Sequence, residues 1–169
     1  SFFGLIGKSG SGKSTLLNII CGLIDPLSGK ILYRNQNISQ YKKKWLTKIG
    51  YVSQEVKLFD ETILNNITMF DNNYNDEDKI NNVLKVLNLD IFVSSLPRKL
   101  ETVIGSEGIE LSVGQKQRIG IARALIRDPE ILILDESTNS LDQKTEEEII
   151  DFLIKLKKNK TIIFVTHDQ

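Results

Sequence analysis

The sequence holds one cysteine, Cys21, and one histidine, His167. A single thiol closes no internal disulfide, and without further cysteines there is no zinc cage to build, so the chain fits a reducing, intracellular setting. Net charge is missing as well. The 22 lysines and arginines balance 22 aspartates and glutamates, so no overall field draws the molecule onto nucleic acid or anionic lipid. Any polyanion must be held locally. No apolar run approaches the roughly 18 residues that a membrane-spanning helix requires; the longest are short, as at Ile131 to Leu134 and Ile162 to Val165. Internal repeats and low-complexity tracts are absent, and the apolar start at Phe2 lacks the basic leader of a signal peptide.

What is present is one domain's worth of chain. At 169 residues, 40% hydrophobic and 26% charged, it has the apolar content to form a packed core rather than a disordered tract. It starts without methionine and stops just after a strand pattern, so it reads as a fragment truncated at both ends.

Four apolar runs rich in branched or aromatic residues read as buried strands: Phe2 to Ile6, Ile49 to Ser53, Ile131 to Leu134 and Thr161 to Val165. Polar residues cluster at one end of each. Helical patterns separate them, at Lys13 to about Cys21, Asp76 to Leu87, Val113 to Arg127 and Lys144 to Lys158. This alternation predicts an α/β fold around a mainly parallel sheet, with all four polar strand ends facing one crevice. Gly29 to Ile38 predicts a hairpin with Asn35-Gln36 at its turn, forming a small antiparallel edge. From about Glu55 to Ser112 there is no convincing strand, which suggests a helical insertion. The expected division is a core of residues 1–54 and 128–169 with a mainly helical subdomain at 55–127.

Residues Gly7 to Ser14 read GKSGSGKS, matching G-x-x-x-x-G-K-[ST] after an apolar strand and at the opening of a helix. Gly7, Gly10 and Gly12 let the backbone curl so that successive N–H groups point inward, and the helix N-terminus adds a positive dipole end suited to polyphosphate. Lys13 would bridge the terminal phosphates, Ser14 would offer a hydroxyl to magnesium, and Thr15 a further hydrogen bond to phosphate. The plain alternative is a flexible glycine-serine turn. The dinucleotide fingerprint G-x-G-x-x-G is not present here.

ILILDE at Ile131 to Glu136 ends a buried strand with two acids, and successive strand side chains point to opposite faces. The two acids should then have different work: Asp135 in a magnesium shell, Glu136 polarising an attacking water. On the strand alone, a turn or helix cap beginning at Ser137 explains them equally well. His167 follows the last strand and would emerge on the same rim, where a neutral imidazole could contact a γ-phosphate. A lone histidine is more often a surface or capping residue. LSVGQ at Leu111 to Gln115 opens the third helix with Ser112 as N-cap and Gln115 as its capping-box partner. Gly114 in the first turn costs helix propensity, which makes sense where something approaches the backbone closely, although capping alone accounts for the pattern.

Taken together, GKSGSGKST, YVSQ at Tyr51 to Gln54, LSVGQ, ILILDE, NSLD at Asn139 to Asp142 and VTHD at Val165 to Asp168 resemble the nucleotide-binding domain of ATP-binding-cassette (ABC) proteins, in order and spacing, over nearly the whole chain. The resemblance implies a P-loop NTPase core and an Mg2+-dependent ATPase. It makes Gly7, Lys8, Ser9, Gly10, Ser11, Gly12, Lys13, Ser14 and Thr15 the Walker A loop that holds ATP. Gln54 becomes the Q-loop glutamine that senses magnesium and the attacking water. Asp135 and Glu136 become the Walker B aspartate and catalytic base, and His167 the switch histidine. It further implies that Ser112, Gly114 and Gln115 reach the γ-phosphate held by a second ABC ATPase domain in a head-to-tail dimer, with Asp142 at the joint between protomers.

EVKLFDETILNNI and TVIGSEGIELSVGQKQRIGIARAL resemble the exporter branch, in which the region after the glutamine meets a transmembrane domain. That implies a transmembrane partner in the same full-length chain, a place at the cytoplasmic face of the cell membrane, and no nucleic-acid partner. The competing reading is a soluble cassette ATPase acting on DNA or ribosomes, against which stand the balanced charge and the lack of a long heptad coiled coil between Thr15 and Leu111. A non-hydrolysing regulatory module is a third, disfavoured by the intact Glu136 and His167. The sequence departs from the family at Val113, which replaces the first glycine of the commoner LSGGQ, and at Ser106, where many exporters carry glutamate. The aromatic residue that stacks on adenine would lie upstream of Ser1.

Overall fold

The computed structural model describes residues 1–8, 10–71, 74, 76–106, 108–137, 141–156 and 159–166. The chain runs β1 (Phe2–Ile6), α1 (Lys13–Ile20), β2 (Leu32–Tyr33), β3 (Gln36–Asn37), α2 (Lys42–Leu46), β4 (Ile49–Val52), β5 (Glu61–Thr62), α3 (Ile63–Thr68), α4 (Glu77–Val86), α5 (Asp90–Ser95), β6 (Val103–Ile104), α6 (Val113–Ile126), β7 (Ile131–Asp135), α7 (Gln143–Leu156) and β8 (Thr161–Thr166).

Four strands form one parallel sheet in the order β1-β8-β7-β4. Its register sets Phe2 beside Ile162, Ile131 beside Thr161 and Ile49 beside Ile131. The continuous apolar run of β7 follows from burial on both faces, for Leu132, Ile133 and Leu134 are fully buried. On one face Ile133 and Val165 pack with Leu17 and Cys21 of the α1 segment. On the other, Leu132, Leu134 and Ile162 join the residues of α3, α4, α6 and α7 in one continuous core. The α/β layering expected from the alternation is therefore what the chain forms.

The helix boundaries follow local chemistry. Asp76 caps α4 by accepting from the Lys79 amide at 2.9 Å, and Ile80, Val83 and Leu84 form its buried face. Ser112 and Gln115 close a reciprocal capping box on α6. That helix ends at Ile126, ahead of Asp128-Pro129, where proline cannot continue the backbone ladder. Lys157 and Lys158, expected at the end of α7, lie outside the described residues.

Two details differ from the sequence reading. The hairpin turns on Arg34 and Asn35, both at positive φ (49° and 64°), because Gln36 is already paired with Tyr33. This is the I′-like geometry that matches the twist of hairpin strands, and the hairpin forms its own two-stranded sheet beside the main one. The stretch from 55 to 112 also contains strands. Glu61 pairs with Ile104 and Thr62 with Val103, antiparallel, tying two distant segments together. Buried Asn66 and half-buried Arg123 hold the same region: the Asn66 side chain bonds the Phe59 amide and carbonyl, and the Arg123 guanidinium donates to the Lys57 and Asn66 carbonyls. Burial lowers the pKa of Arg123.

Candidate functional site

The loop between β1 and α1 is shaped by its glycines. Gly10 and Gly12 both take positive φ (78° and 90°), a conformation that costs a side-chain-bearing residue strain. Gly12 is the N-cap of α1 and supplies no side-chain acceptor to the first-turn amides. Those donors of Lys13, Ser14 and Thr15 thus face the loop at the positive end of the helix dipole. Lys13 folds back over the loop: its Nζ donates to the Gly7 carbonyl at 2.6 Å and to the Lys8 carbonyl at 3.3 Å, and lies 3.8 Å from Oε1 of Glu136. The Ser11 amide donates to Lys8 O at 3.1 Å, closing the curl.

The carboxyl ends of β4 and β7 stand opposite. Gln54 follows β4 and donates through Nε2 to Oε2 of Glu136 at 3.0 Å. Asp135 closes β7 and accepts from the Tyr51 hydroxyl at 2.7 Å on Oδ2. Gly10, Gly12, Lys13, Ser14, Thr15, Gln54, Asp135 and Glu136 together line a cleft of about 530 Å³. The two acids were expected on opposite faces of the strand, yet both line this cleft. Glu136 sits one residue beyond β7 at φ 49°, where strand alternation has ended and the left-handed backbone re-aims its side chain.

Burial first, and then the bond to Asp135, pushes the Tyr51 phenol well above its ordinary range. It remains a donor at neutral pH. Burial alone raises the Cys21 thiol to about 11, so that lone cysteine is an unreactive part of the packing under α1.

Residues 1–139 match the ABC transporter family. The chain belongs to the ABC transporter family. The ATP-dependent lipid A-core flippase of Idiomarina loihiensis is 43% identical over 164 residues, covering 96% of this chain and 28% of the flippase. ABC transporter B family member 13 of Arabidopsis thaliana is 43% identical over 166 residues, which is 98% of this chain and 13% of that protein. Among solved structures, that of a bacterial Atm1-family ABC exporter with ATP bound matches with a TM-score of 0.90 at 32% identity, over 98% of this chain and 29% of that one. The chain spans less than a third of the length of the curated relatives it matches.

Within this ABC transporter chain Ser112, Gly114, Gln115 and Asp142 are not among the residues that line this cleft. Ser112, Gly114 and Gln115 open α6, where the Ser112 amide donates to Gln115 Oε1 at 2.9 Å and the Gln115 amide to Ser112 Oγ at 3.2 Å. Their neighbours Leu111, Val113 and Lys116 line a different cleft of about 710 Å³, which shares Gln54 with the first. Asp142 is exposed and accepts from the Thr145 amide at 3.0 Å; Thr145 holds its carboxyl below the usual range. Ser9 and His167 lie outside the described residues, so three of the four strand ends are described at the crevice. Among the described residues no group of three or more histidines, cysteines or acids is placed to hold a metal by itself, and no helix is long and apolar enough to cross a membrane.

Two residues escaped the sequence reading. Tyr51 was visible as part of YVSQ, but its bond to Asp135 depends on β4 being the strand next to β7. Asp60 accepts from both the Ser106 amide (2.6 Å) and hydroxyl (2.8 Å), so a carboxylate stands beside the position where the family often carries glutamate. Gly105 permits this at φ 109°, since a Cβ there would come 2.1 Å from Asp60 Oδ1.

Proposed function

We propose that this chain is the ATP-binding and ATP-hydrolysing part of a membrane exporter, working through a transmembrane domain in the same full-length protein. The observation that carries this reading is the convergence of Lys13, Gln54, Asp135 and Glu136 on the cleft that the glycine loop opens. The export and flippase functions named for its relatives support the transport half of the reading over a soluble cassette acting on DNA or ribosomes. They also favour a place at the cytoplasmic face of a membrane.

In this reading the Gly7 to Thr15 loop wraps the ATP triphosphate, with Lys13 against the terminal phosphates. The donor set Ser14 hydroxyl, Asp135 carboxylate and Gln54 amide oxygen is all oxygen with one charge, which suits Mg2+ held jointly with substrate phosphates rather than in a protein cage. When bound, Mg2+ supplies charge neutralisation across the phosphates. Glu136 takes a proton from the attacking water as its oxygen bonds to the γ-phosphorus and the bond to the bridging oxygen breaks, releasing ADP. Gln54, already donating to Oε2, orients the carboxylate for that transfer. The work is positioning and electrostatics, with no covalent intermediate.

Ser112, Gly114 and Gln115 then serve the ATP of a second copy or a related domain in a head-to-tail pair, with Asp142 at the joint and His167 at the γ-phosphate. Residues 55–127 form the mainly helical subdomain, whose region after Gln54 meets the transmembrane partner, and residues 1–54 and 128–169 hold the chain's own nucleotide. The half-exposed Phe59 and Phe70, packed edge to face at 5.3 Å, offer an apolar patch for that contact. In the full-length protein, Glu136→Gln should retain ATP binding and lose phosphate release by about 100-fold or more. Unchanged release would remove Glu136 as the base.

A further inference from the structure

Tyr51 and Asp135 lie on adjacent parallel strands, in a register that sets Tyr51 opposite Ile133. Side chains two residues apart share a face, so Asp135 is the diagonal neighbour of Tyr51 on the face it occupies. Neighbouring strands lie about 4.8 Å apart and two residues rise about 6.6 Å, so this diagonal spans roughly 8 Å between backbones, a gap that only a long side chain crosses. Tyrosine crosses it and ends in a donor: the phenol proton goes to Oδ2 at 2.7 Å.

The second carboxylate has different partners. Glu136 is held by the Gln54 amide and faces the Lys13 ammonium, while the hydroxyl of Tyr51 is the only side-chain donor on Asp135 among the described residues. A carboxylate rotates in a broad well about its last torsion. Magnesium demands near-octahedral oxygens at short range, and a carboxylate free to turn presents them poorly.

Resting on the nucleotide reading above, we propose that Tyr51 is a positioning residue for the cation: its hydroxyl occupies Oδ2 of Asp135 and so presents Oδ1 to Mg2+. The phenol keeps its proton and does not itself bind the metal. Its contribution is to fix the ligand's orientation, as hydrogen-bonding neighbours of metal ligands commonly do.

The test compares Tyr51→Phe with Asp135→Asn in the full-length protein. Three quantities are read: Mn2+ affinity by electron paramagnetic resonance with a non-hydrolysable ATP analogue, the Mg2+ concentration giving half-maximal turnover, and nucleotide affinity in EDTA. Tyr51→Phe keeps the ring and removes only the donor. It should weaken Mn2+ binding about 10-fold and raise the half-saturating Mg2+ to match. Nucleotide affinity in EDTA should stay unchanged, and excess Mg2+ should restore turnover. A purely structural role would instead lower the melting temperature and the EDTA affinity with the metal titrations unmoved. Unchanged or tighter Mn2+ binding in Tyr51→Phe overturns the inference, provided Asp135→Asn does weaken it. If Asp135→Asn also leaves Mn2+ binding unmoved, the assignment of Asp135 to the cation falls, and the role of Tyr51 falls with it.

Discussion

Two helix starts in this chain offer backbone donors, and they are finished in opposite ways. At α1 the N-cap is Gly12, which has no side chain to satisfy the first turn, and the chain sets Lys13, Gln54 and two acids around the opening. At α6 the N-cap is Ser112, whose hydroxyl and reciprocal partner Gln115 satisfy the turn from within, and Val113 stands well exposed beside it. A helix start left uncapped and surrounded by converging polar groups is arranged for a ligand of its own chain. One that caps itself and lies on another cleft can serve only something brought to it, which fits the proposed head-to-tail pairing.

The largest effect should come from breaking the first of these. Lys13→Ala removes the one cation that lines the cleft among the described residues, and the loss of a charge-assisted hydrogen bond to phosphate corresponds to an ATP affinity lower by about 10- to 100-fold. An equilibrium titration of the full-length protein giving normal affinity would mean that the loop is not the phosphate site. A smaller and different effect is expected from Gln115→Ala. It opens the capping box at α6 and should reduce ATP-driven association of two ATPase domains and lower turnover several-fold, with the ATP affinity of the first cleft intact. A fall in that affinity, measured with hydrolysis blocked, would show that the two helix starts are not independent.

The smallest effect separates them by pH. Ser106, through its amide and then its hydroxyl, holds the Asp60 carboxyl below its ordinary range and ties the approach to α6 in place. A carboxylate whose pKa is depressed by folding adds stability above its unfolded pKa, and that stability is lost as pH falls through the lower folded value. Melting temperatures below about pH 4 should therefore decline less steeply in Asp60→Asn than in the wild type. The difference should be small, since Asp60 is exposed and solvent screens it. Parallel curves would remove Asp60 from the acid response.

The sequence made the central sheet legible because each of its strands is a run of apolar residues long enough to stand out, and the glycine loop legible because its spacing is dictated by phosphate geometry. The pairing of β5 with β6 was not legible. Each strand is two residues long, and Glu61 and Ile104 meet only through tertiary folding. The hairpin turn was displaced by one residue because the backbone takes positive φ at Arg34 as well as Asn35, and arginine, unlike asparagine, carries no sequence signal for that conformation. The shared cleft of Asp135 and Glu136 was hidden for a related reason: alternation along a strand says nothing about the residue that turns out of it. Tyr51 needed the strand order, which no local pattern encodes.

That strand order also governs how the chain must be made. Phe2 finds its sheet neighbour in Ile162, so among the described strands β1 joins the sheet only through β8, more than 150 residues later. The helices of the middle of the chain can pack while synthesis continues, but the bed beneath the glycine loop cannot close until β8 is delivered between β1 and β7. A nascent chain stalled short of Thr161 would carry every residue of the glycine loop and still lack β8, the strand that joins β1 to β7.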